Sequence, residues 1–185
     1  MFLDSSNGNI LTRRDSIGND TIFGTGEGID ALGWVAISDT TYTSGSPQAI
    51  TSGIDTQLDF NIDSFIETYA PNSYKVTDFF DATNNRINSP VLGAAYVFRL
   101  TFACVPSNNS RVLDISYSIG TGVGSQIVID SREASLRTAG TATQVSLSSL
   151  IYSLSTFQAN GMEIILNATT NCDIYDINMV LSRIN

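Results

Sequence analysis

The chain has 185 residues, nine Lys and Arg against eighteen Asp and Glu, a formal net charge of −9 and no histidine. A nucleic-acid backbone needs clustered positive charge, so this balance excludes that partner. The missing imidazole rules out a Ser-His or Cys-His nucleophile pair and any histidine metal ligand.

No apolar stretch reaches the length of a membrane helix, and the first residues lack a basic-then-apolar leader. A soluble protein with no membrane partner and no visible export signal is therefore expected. The length suits one domain plus a modest arm, with a core large enough to stand without staples.

Residues 1–33 carry glycines at 8, 18, 24, 26, 28 and 33, broken only by Ile10-Leu11, Ile17, Ile22-Phe23 and Ile29. So few apolar side chains cannot build a core. The segment reads as an extended anchoring arm, ordered against a partner protein or a sister subunit. Its candidate contact residues are Ile10, Leu11, Arg13, Arg14, Ile22 and Phe23. The pair Arg13-Arg14 can meet a phosphate or an acidic surface, though two arginines on an arm are more simply solvated. Gly24-Thr25-Gly26-Glu27-Gly28 has the look of a phosphate loop but lacks the strand-before, helix-after context, and Glu27 would repel phosphate. Flexible linker is the better reading.

At Trp34 the character changes, and residues 34–185 read as one β domain. Trp34-Val35-Ala36-Ile37 is a first strand, followed by the turn Ser44-Gly45-Ser46-Pro47. Gln48-Ala49-Ile50 and Thr56-Gln57-Leu58 are short edge candidates, since nearby Pro47 cannot donate to a ladder. Ile62 to Tyr69 fits a helical turn or a loop. Phe79-Phe80-Asp81 leads through Asn84-Asn85 to a short strand at Arg86-Ile87-Asn88.

The strongest central strand follows. Tyr96, Phe98, Leu100 and Phe102 share one face; Val97, Arg99, Thr101 and Ala103 share the other. Pro106-Ser107-Asn108-Asn109 ends it. Leu113, Ile115, Tyr117 and Ile119 alternate again, up to a tight loop at Gly120 to Gly124. Ile127-Val128-Ile129 and Gln144-Val145-Ser146-Leu147 are further strands, and Leu150 to Phe157 is an apolar, partly helical connection.

The ending is the most regular stretch of all. Met162, Ile164 and Leu166 alternate with Glu163, Ile165 and Asn167; Tyr175, Ile177, Met179 and Leu181 alternate with Asp176, Asn178, Val180 and Ser182. With Ala168-Thr169-Thr170-Asn171 between them, this pattern predicts a β-hairpin. Eight or more strands with almost no helix predict an all-β, two-sheet sandwich or barrel.

Cys104 and Cys172 are too few for a disulfide framework. The sequons at Asn19-Asp20-Thr21, Asn108-Asn109-Ser110 and Asn167-Ala168-Thr169 read as ordinary turn composition. A Ser-Lys arrangement would need Lys75, the single lysine, in a loop-like stretch. Asp173 and Asp176 lie three apart on opposite faces of a strand and lack the spacing of a calcium cage. A glycosidase-like carboxylate pair cannot be read from spacing. No enzyme activity, cofactor or metal is expected.

Three stretches carry a family likeness: Phe79-Phe80-Asp81 to Ile87, the strand Gly93 to Phe102, and the ending from Asn160-Gly161-Met162-Glu163-Ile164 through Met179-Val180-Leu181-Ser182-Arg183-Ile184. In order and pattern, the last 150 or so residues resemble the jelly roll of the tumour-necrosis-factor and complement-head type. They are similar in particular to the versions found in bacteriophage structural proteins. The usual tyrosine and glycine signature of the secreted members is incomplete here. The resemblance implies an antiparallel jelly-roll sandwich and a homotrimer. It further implies a virion component, assembled in the host cytoplasm: a capsid decoration, head-fibre or tail-fibre protein.

In that fold the Tyr96 strand and the last strand are antiparallel neighbours. Placing both apolar sets on one face requires paired residue numbers with an odd sum. One such register sets Arg99 opposite Asp176 and puts Cys104 and Cys172 on opposite faces, as free thiols unless a bulge intervenes. The non-core face then holds Val97, Arg99, Thr101, Ile174, Asp176, Val180 and Ile184. It is either a trimer seam or a surface covered by the arm.

The expected role is a trimeric decoration or head-fibre protein whose arm docks on a capsid or other virion protein. The alternative is a tail-fibre module whose loops, Ser107 to Ser110 and Gly120 to Gly124, recognise host surface glycan or protein. A hydrolase on a β scaffold is the weaker third reading.

Overall fold

The structure is a computed structural model that describes residues 2–4, 10–14, 20–23, 32–71, 74–120 and 127–185. The linker expected at Gly24 to Gly28 and the loop residues 121–124 lie outside the described residues. In the arm, β1 (Phe2–Asp4), β2 (Ile10–Arg14) and β3 (Asp20–Phe23) pair with one another as a three-stranded antiparallel sheet. The segment expected as an arm therefore carries strands of its own. All six candidate anchoring residues fall on β2 and β3, with Leu11 paired to Phe23 and Thr12 to Ile22.

From Gly33 the chain builds two further sheets. The strands are β4 (Gly33–Ser38), β5 (Gln48–Ile50), β6 (Thr56–Gln57), β7 (Ser64–Ile66), β8 (Phe80–Asp81), β9 (Arg86–Ile87), β10 (Ala95–Pro106), β11 (Arg111–Ile119), β12 (Ile127–Leu136), β13 (Thr143–Tyr152), β14 (Met162–Ala168) and β15 (Cys172–Arg183). Among the described residues two short helices interrupt them, α1 (Val76–Phe79) and α2 (Ser155–Asn160). One sheet has the order β13-β10-β15-β4-β7, with β5 also on β15; the other runs β12-β11-β14-β9-β8, with β6 also on β14. From β10 onward the chain crosses between the layers at every step except the β11–β12 pair, which are neighbours in one sheet.

The core lies between the layers, and period-two alternation decides what enters it. Tyr96, Phe98, Leu100 and Phe102 of β10 meet Leu113, Ile115 and Tyr117 of β11, with Met162, Ile164 and Leu166 of β14 beside them, all essentially without solvent exposure. Phe98 and Tyr117 close the gap edge to face, centroids 5.5 Å apart at 84°. Phe79 packs likewise on Tyr96, and Phe60 on Phe80.

The expected closing hairpin does not form. β14 pairs with β11, β6 and β9, whereas β15 pairs with β10, β4 and β5. Both strands have one strongly apolar face, and the fold sets these faces against each other across the sandwich instead of placing the strands edge to edge. Ile62 to Tyr69 is neither helix nor plain loop, because Ser64–Ile66 adds an edge strand to β4.

The β10–β15 register keeps the expected odd sum from Tyr96↔Arg183 to Thr101↔Asn178, then shifts so that Ala103 faces Tyr175. Phe102 is thus opposed by both Asp176 and Ile177, a β-bulge, and Asp176 takes a left-handed φ of 55°. The loop after β4 holds it there. Asp176 N–H donates to the Tyr42 carbonyl at 3.1 Å, and Asp39 N–H donates to the Ile177 carbonyl at 2.9 Å. That loop is itself an Asx turn. Buried Asp39 accepts from the backbone N–H of Thr41 at 2.6 Å, Tyr42 at 3.2 Å and Asn61 at 2.9 Å. Asp63 braces its rim, and the donors from Thr41 and Thr40 hold that carboxyl below its ordinary range.

Ahead of the shift the ladder already runs four residues away from the expected pairing, so Arg99 sits opposite Val180, not Asp176. The shift itself has two consequences. Ile174 leaves the outer face for the core, where it is fully buried. Cys104 and Cys172 fall on the same face, both buried and both free thiols.

Gly161 caps α2 with φ 72°, and a Cβ there would meet Asn88 Oδ1 at 2.6 Å and Arg86 Cβ at 3.2 Å. Gly161→Ala combines left-handed strain with a clash, so a loss of about 2 kcal/mol is expected in a urea titration. Gly93→Ala also has positive φ, but a Cβ there meets nothing within 4 Å. Its cost should be about half as large.

Candidate functional site

The candidate site is the face of the β13-β10-β15-β4-β7 sheet that points away from the core. Cross-strand register defines it row by row. One row runs Trp34, Ser182, Val97, Leu150; the next runs Ile66, Ala36, Val180, Arg99, Ser148; a third runs Ser64, Ser38, Asn178, Thr101, Ser146. The first two rows are largely apolar and the third is polar. An apolar area bordered by hydroxyls and one guanidinium is the composition of an interface centre with its rim.

Each residue is there for a local reason. Val35 and Ile37 of β4 are buried, so Trp34 and Ala36 must face outward. Trp34 is fixed by ring stacking on Tyr69, centroids 5.2 Å apart, and by its backbone N–H, which donates to the Tyr69 carbonyl at 2.8 Å. This close approach needs Gly33, where a Cβ would lie 2.3 Å from that same oxygen. On β15, Met179 and Leu181 point inward and set Val180 and Ser182 outward. Ser38 Oγ donates to Asn178 Oδ1 at 2.6 Å across the polar row.

Of the residues expected on this face, Val97, Arg99, Thr101 and Val180 are there together. Ile184 continues it just past β15 and is 49% exposed. Asp176 is exposed at the bulge, away from Arg99, and Ile174 is in the core. The sequence reading missed Trp34, Ala36, Ile66, Leu150 and Tyr152. Leu150 is 52% and Tyr152 60% exposed, on an edge strand. Their signal was present: Leu150 and Tyr152 flank buried Ile151, the same alternation that assigned Val97.

The loop proposed for recognition, Ser107 to Ser110, is exposed but tied down. Asn108 Nδ2 donates to Thr170 Oγ1 at 2.8 Å, Ser107 N–H to the Asn171 carbonyl at 2.9 Å, and Asn109 Oδ1 accepts from Ala139 N–H at 2.7 Å. Lys75 lies at the start of α1, where its Nζ is 3.3 Å from Glu67 Oε1. No helix among the described residues is long and apolar enough to cross a membrane, a statement that leaves β-barrels untouched.

No protein-family model matches the chain, and no curated protein matches it. Solved structures do. The Eiger TNF of S. frugiperda is 7% identical, with 83% of this chain and 93% of that chain covered at a TM-score of 0.52. The PRD1 vertex protein P5 is 12% identical over 95% of this chain and 82% of that one, with a TM-score of 0.43. Dimeric latent PorU from Porphyromonas gingivalis is 12% identical over 82% of this chain and 13% of its own, with a TM-score of 0.42. The chain thus has the two-sheet antiparallel jelly roll of the tumour-necrosis-factor type.

Proposed function

We propose that this chain is a structural protein of a bacteriophage particle. In this reading it is a capsid decoration or head-fibre homotrimer in which residues 1–33 dock on the particle and residues 34–185 project from it. The observation that carries the proposal is the outer sheet face. Trp34, Ala36, Val97 and Val180 are half-buried within one subunit, next to exposed Ile66 and Leu150. Three copies meeting on this face would remove that apolar area from water, at about 25 cal/mol for each Å² buried. The acidic, histidine-free composition agrees with a role in assembly rather than nucleophilic catalysis. The likeness of the strand pattern to phage jelly rolls supplies the virion context.

Two experiments bear on it. Val180→Asp puts a carboxylate at the centre of the seam, where each copy would bury an unpaired charge. Light scattering should then fall from the mass of three chains to that of one, at unchanged circular dichroism; an unchanged oligomer removes the seam. Deleting residues 1–33 should release the protein from particles with which the full chain co-purifies. Retention on particles would contradict the docking role.

A receptor-binding role at the tip of a tail fibre is the second reading. The hydrogen bonds that fix the exposed loop Ser107 to Ser110 favour it, because a pre-organised polar loop loses little entropy on binding. Saturable binding of the purified protein to host cells would select it.

A further inference from the structure

We propose that Cys104 and Cys172 form a reversible dithiol–disulfide couple, in which Cys172 meets a small hydroperoxide and Cys104 closes the bond. The bulge makes this possible. Beyond it Cys104 faces Ile174 and Pro106 faces Cys172, so the two cysteines are diagonal neighbours on one face of adjacent antiparallel strands. The odd register that precedes the bulge would have separated them.

The pair is asymmetric. Cys104 has no solvent exposure, whereas Cys172 lines a cavity of about 290 Å³ together with Pro106, Ser107, Gly140 and Asn171. Two backbone hydrogen bonds join residues of the cavity wall, Gly140 N–H to the Pro106 carbonyl at 2.8 Å and Ser107 N–H to the Asn171 carbonyl at 2.9 Å. A cysteine that only fills a core gap needs neither a second thiol in contact nor an opening.

The electrostatics divide the roles in the same sense. The hydrogen bond between the thiols lowers the Cys172 thiol against the opposing effects of burial and Asp173. The same bond, followed by burial, raises the Cys104 thiol. This direction agrees with the geometry, in which Cys172 is the thiol that lines the cavity.

The chemistry balances with a hydroperoxide as oxidant. The Cys172 thiolate attacks one peroxide oxygen; an S–O bond forms, the O–O bond breaks, and the departing oxygen leaves as hydroxide (or alkoxide) that takes up the proton lost by Cys172. The Cys104 sulfur then attacks the Cys172 sulfenic sulfur. An S–S bond forms, the S–O bond breaks, and the second hydroxide leaves as water with the Cys104 proton. Two thiols are oxidised by two electrons and one peroxide is reduced. An external thiol reverses the reaction by exchange. The bridge would tie β10 to β15 where the bulge weakens their ladder, and so add a covalent tie that is absent in the reduced protein.

The test uses the full chain, reduced and then freed of reductant, with hydrogen peroxide as the probe. The expected product is a monomeric chain lighter by two hydrogens, with a Cys104–Cys172 crosslinked peptide. It should melt several degrees higher than the reduced chain and return to the starting mass with dithiothreitol. Cys104→Ser should instead gain one oxygen at Cys172, trapped by a sulfenate-specific dione, while Cys172→Ser stays unmodified under the same dose. A wild-type chain that gains two or three oxygens, or that keeps both thiols until it is unfolded, overturns the proposal. So does equal reactivity of the two single variants. Should either variant fail to fold, native-state alkylation of the wild type decides the order: Cys172 must be modified before Cys104.

Discussion

Phe98→Ala should lower the stability of this protein by about 4 kcal/mol, a large share of the total a domain of this kind has. Phe98 has no solvent exposure, and its ring stands edge-on to Tyr117 of the opposite sheet. Removing the ring takes away its burial, that contact, and any support Tyr117 had from below. The two sheets cannot close up over the gap, because Leu100 on one side and Tyr96 on the other are already packed. The denaturant midpoint should shift with an unchanged slope. Phe65→Ala is the control: that ring is 50% exposed on an edge strand, so its loss should cost under about 1 kcal/mol.

The second large effect lies on the other sheet. Arg86 and Glu163 are cross-strand partners of β9 and β14, with Arg86 Nε and Nη2 donating to Glu163 Oε1 at 3.0 and 2.8 Å. Glu163 is 7% exposed, so Arg86→Ala leaves a carboxylate in a poorly solvated site. Breaking such a pair from one side costs several kcal/mol when fully buried, and the partial exposure of Arg86 brings the expectation down to about 2 kcal/mol. Arg86→Met with Glu163→Leu should recover most of the loss, since replacing both charges removes the desolvation penalty with the attraction. A double-mutant cycle in urea measures both.

How much of this was legible beforehand depends on what each device leaves in the sequence. The apolar face of β10 was plain, because four large side chains at every second position admit one reading. The pairing of β10 with β15 followed from the family pattern, and the odd register from matching faces held as far as Thr101. What failed was the bulge, and with it the placement of Ile174 and the separation of the cysteines; the Arg99–Asp176 pair failed separately, because parity fixes the faces but not which odd-sum register the strands adopt. Nothing in Tyr175-Asp176-Ile177 marks a bulge. No glycine is present; an aspartate takes the left-handed φ, and the restraint comes from the loop at Asp39 to Tyr42, far away in the chain.

The closing hairpin failed for a related reason. Alternation reports that a strand has a wet face and a dry one, not which strand it bonds to. Ser64–Ile66 was invisible because three exposed residues carry no periodicity. On the candidate face, Val97, Thr101 and Val180 were found because their strands were well read. Trp34 and Leu150 were overlooked because each sits at the start or end of a strand whose alternation was traced over too few residues.

The burial of that outer face between copies is the claim on which the functional account rests. The most direct measurement is the molar mass of the unmodified chain by light scattering coupled to size exclusion, over a wide range of concentration. Three 19.9 kDa chains give about 60 kDa, and the account requires that value down to the lowest concentration measured. A mass of 19.9 kDa throughout would mean that Val97, Val180 and Trp34 face solvent in the working protein, and the account would be wrong.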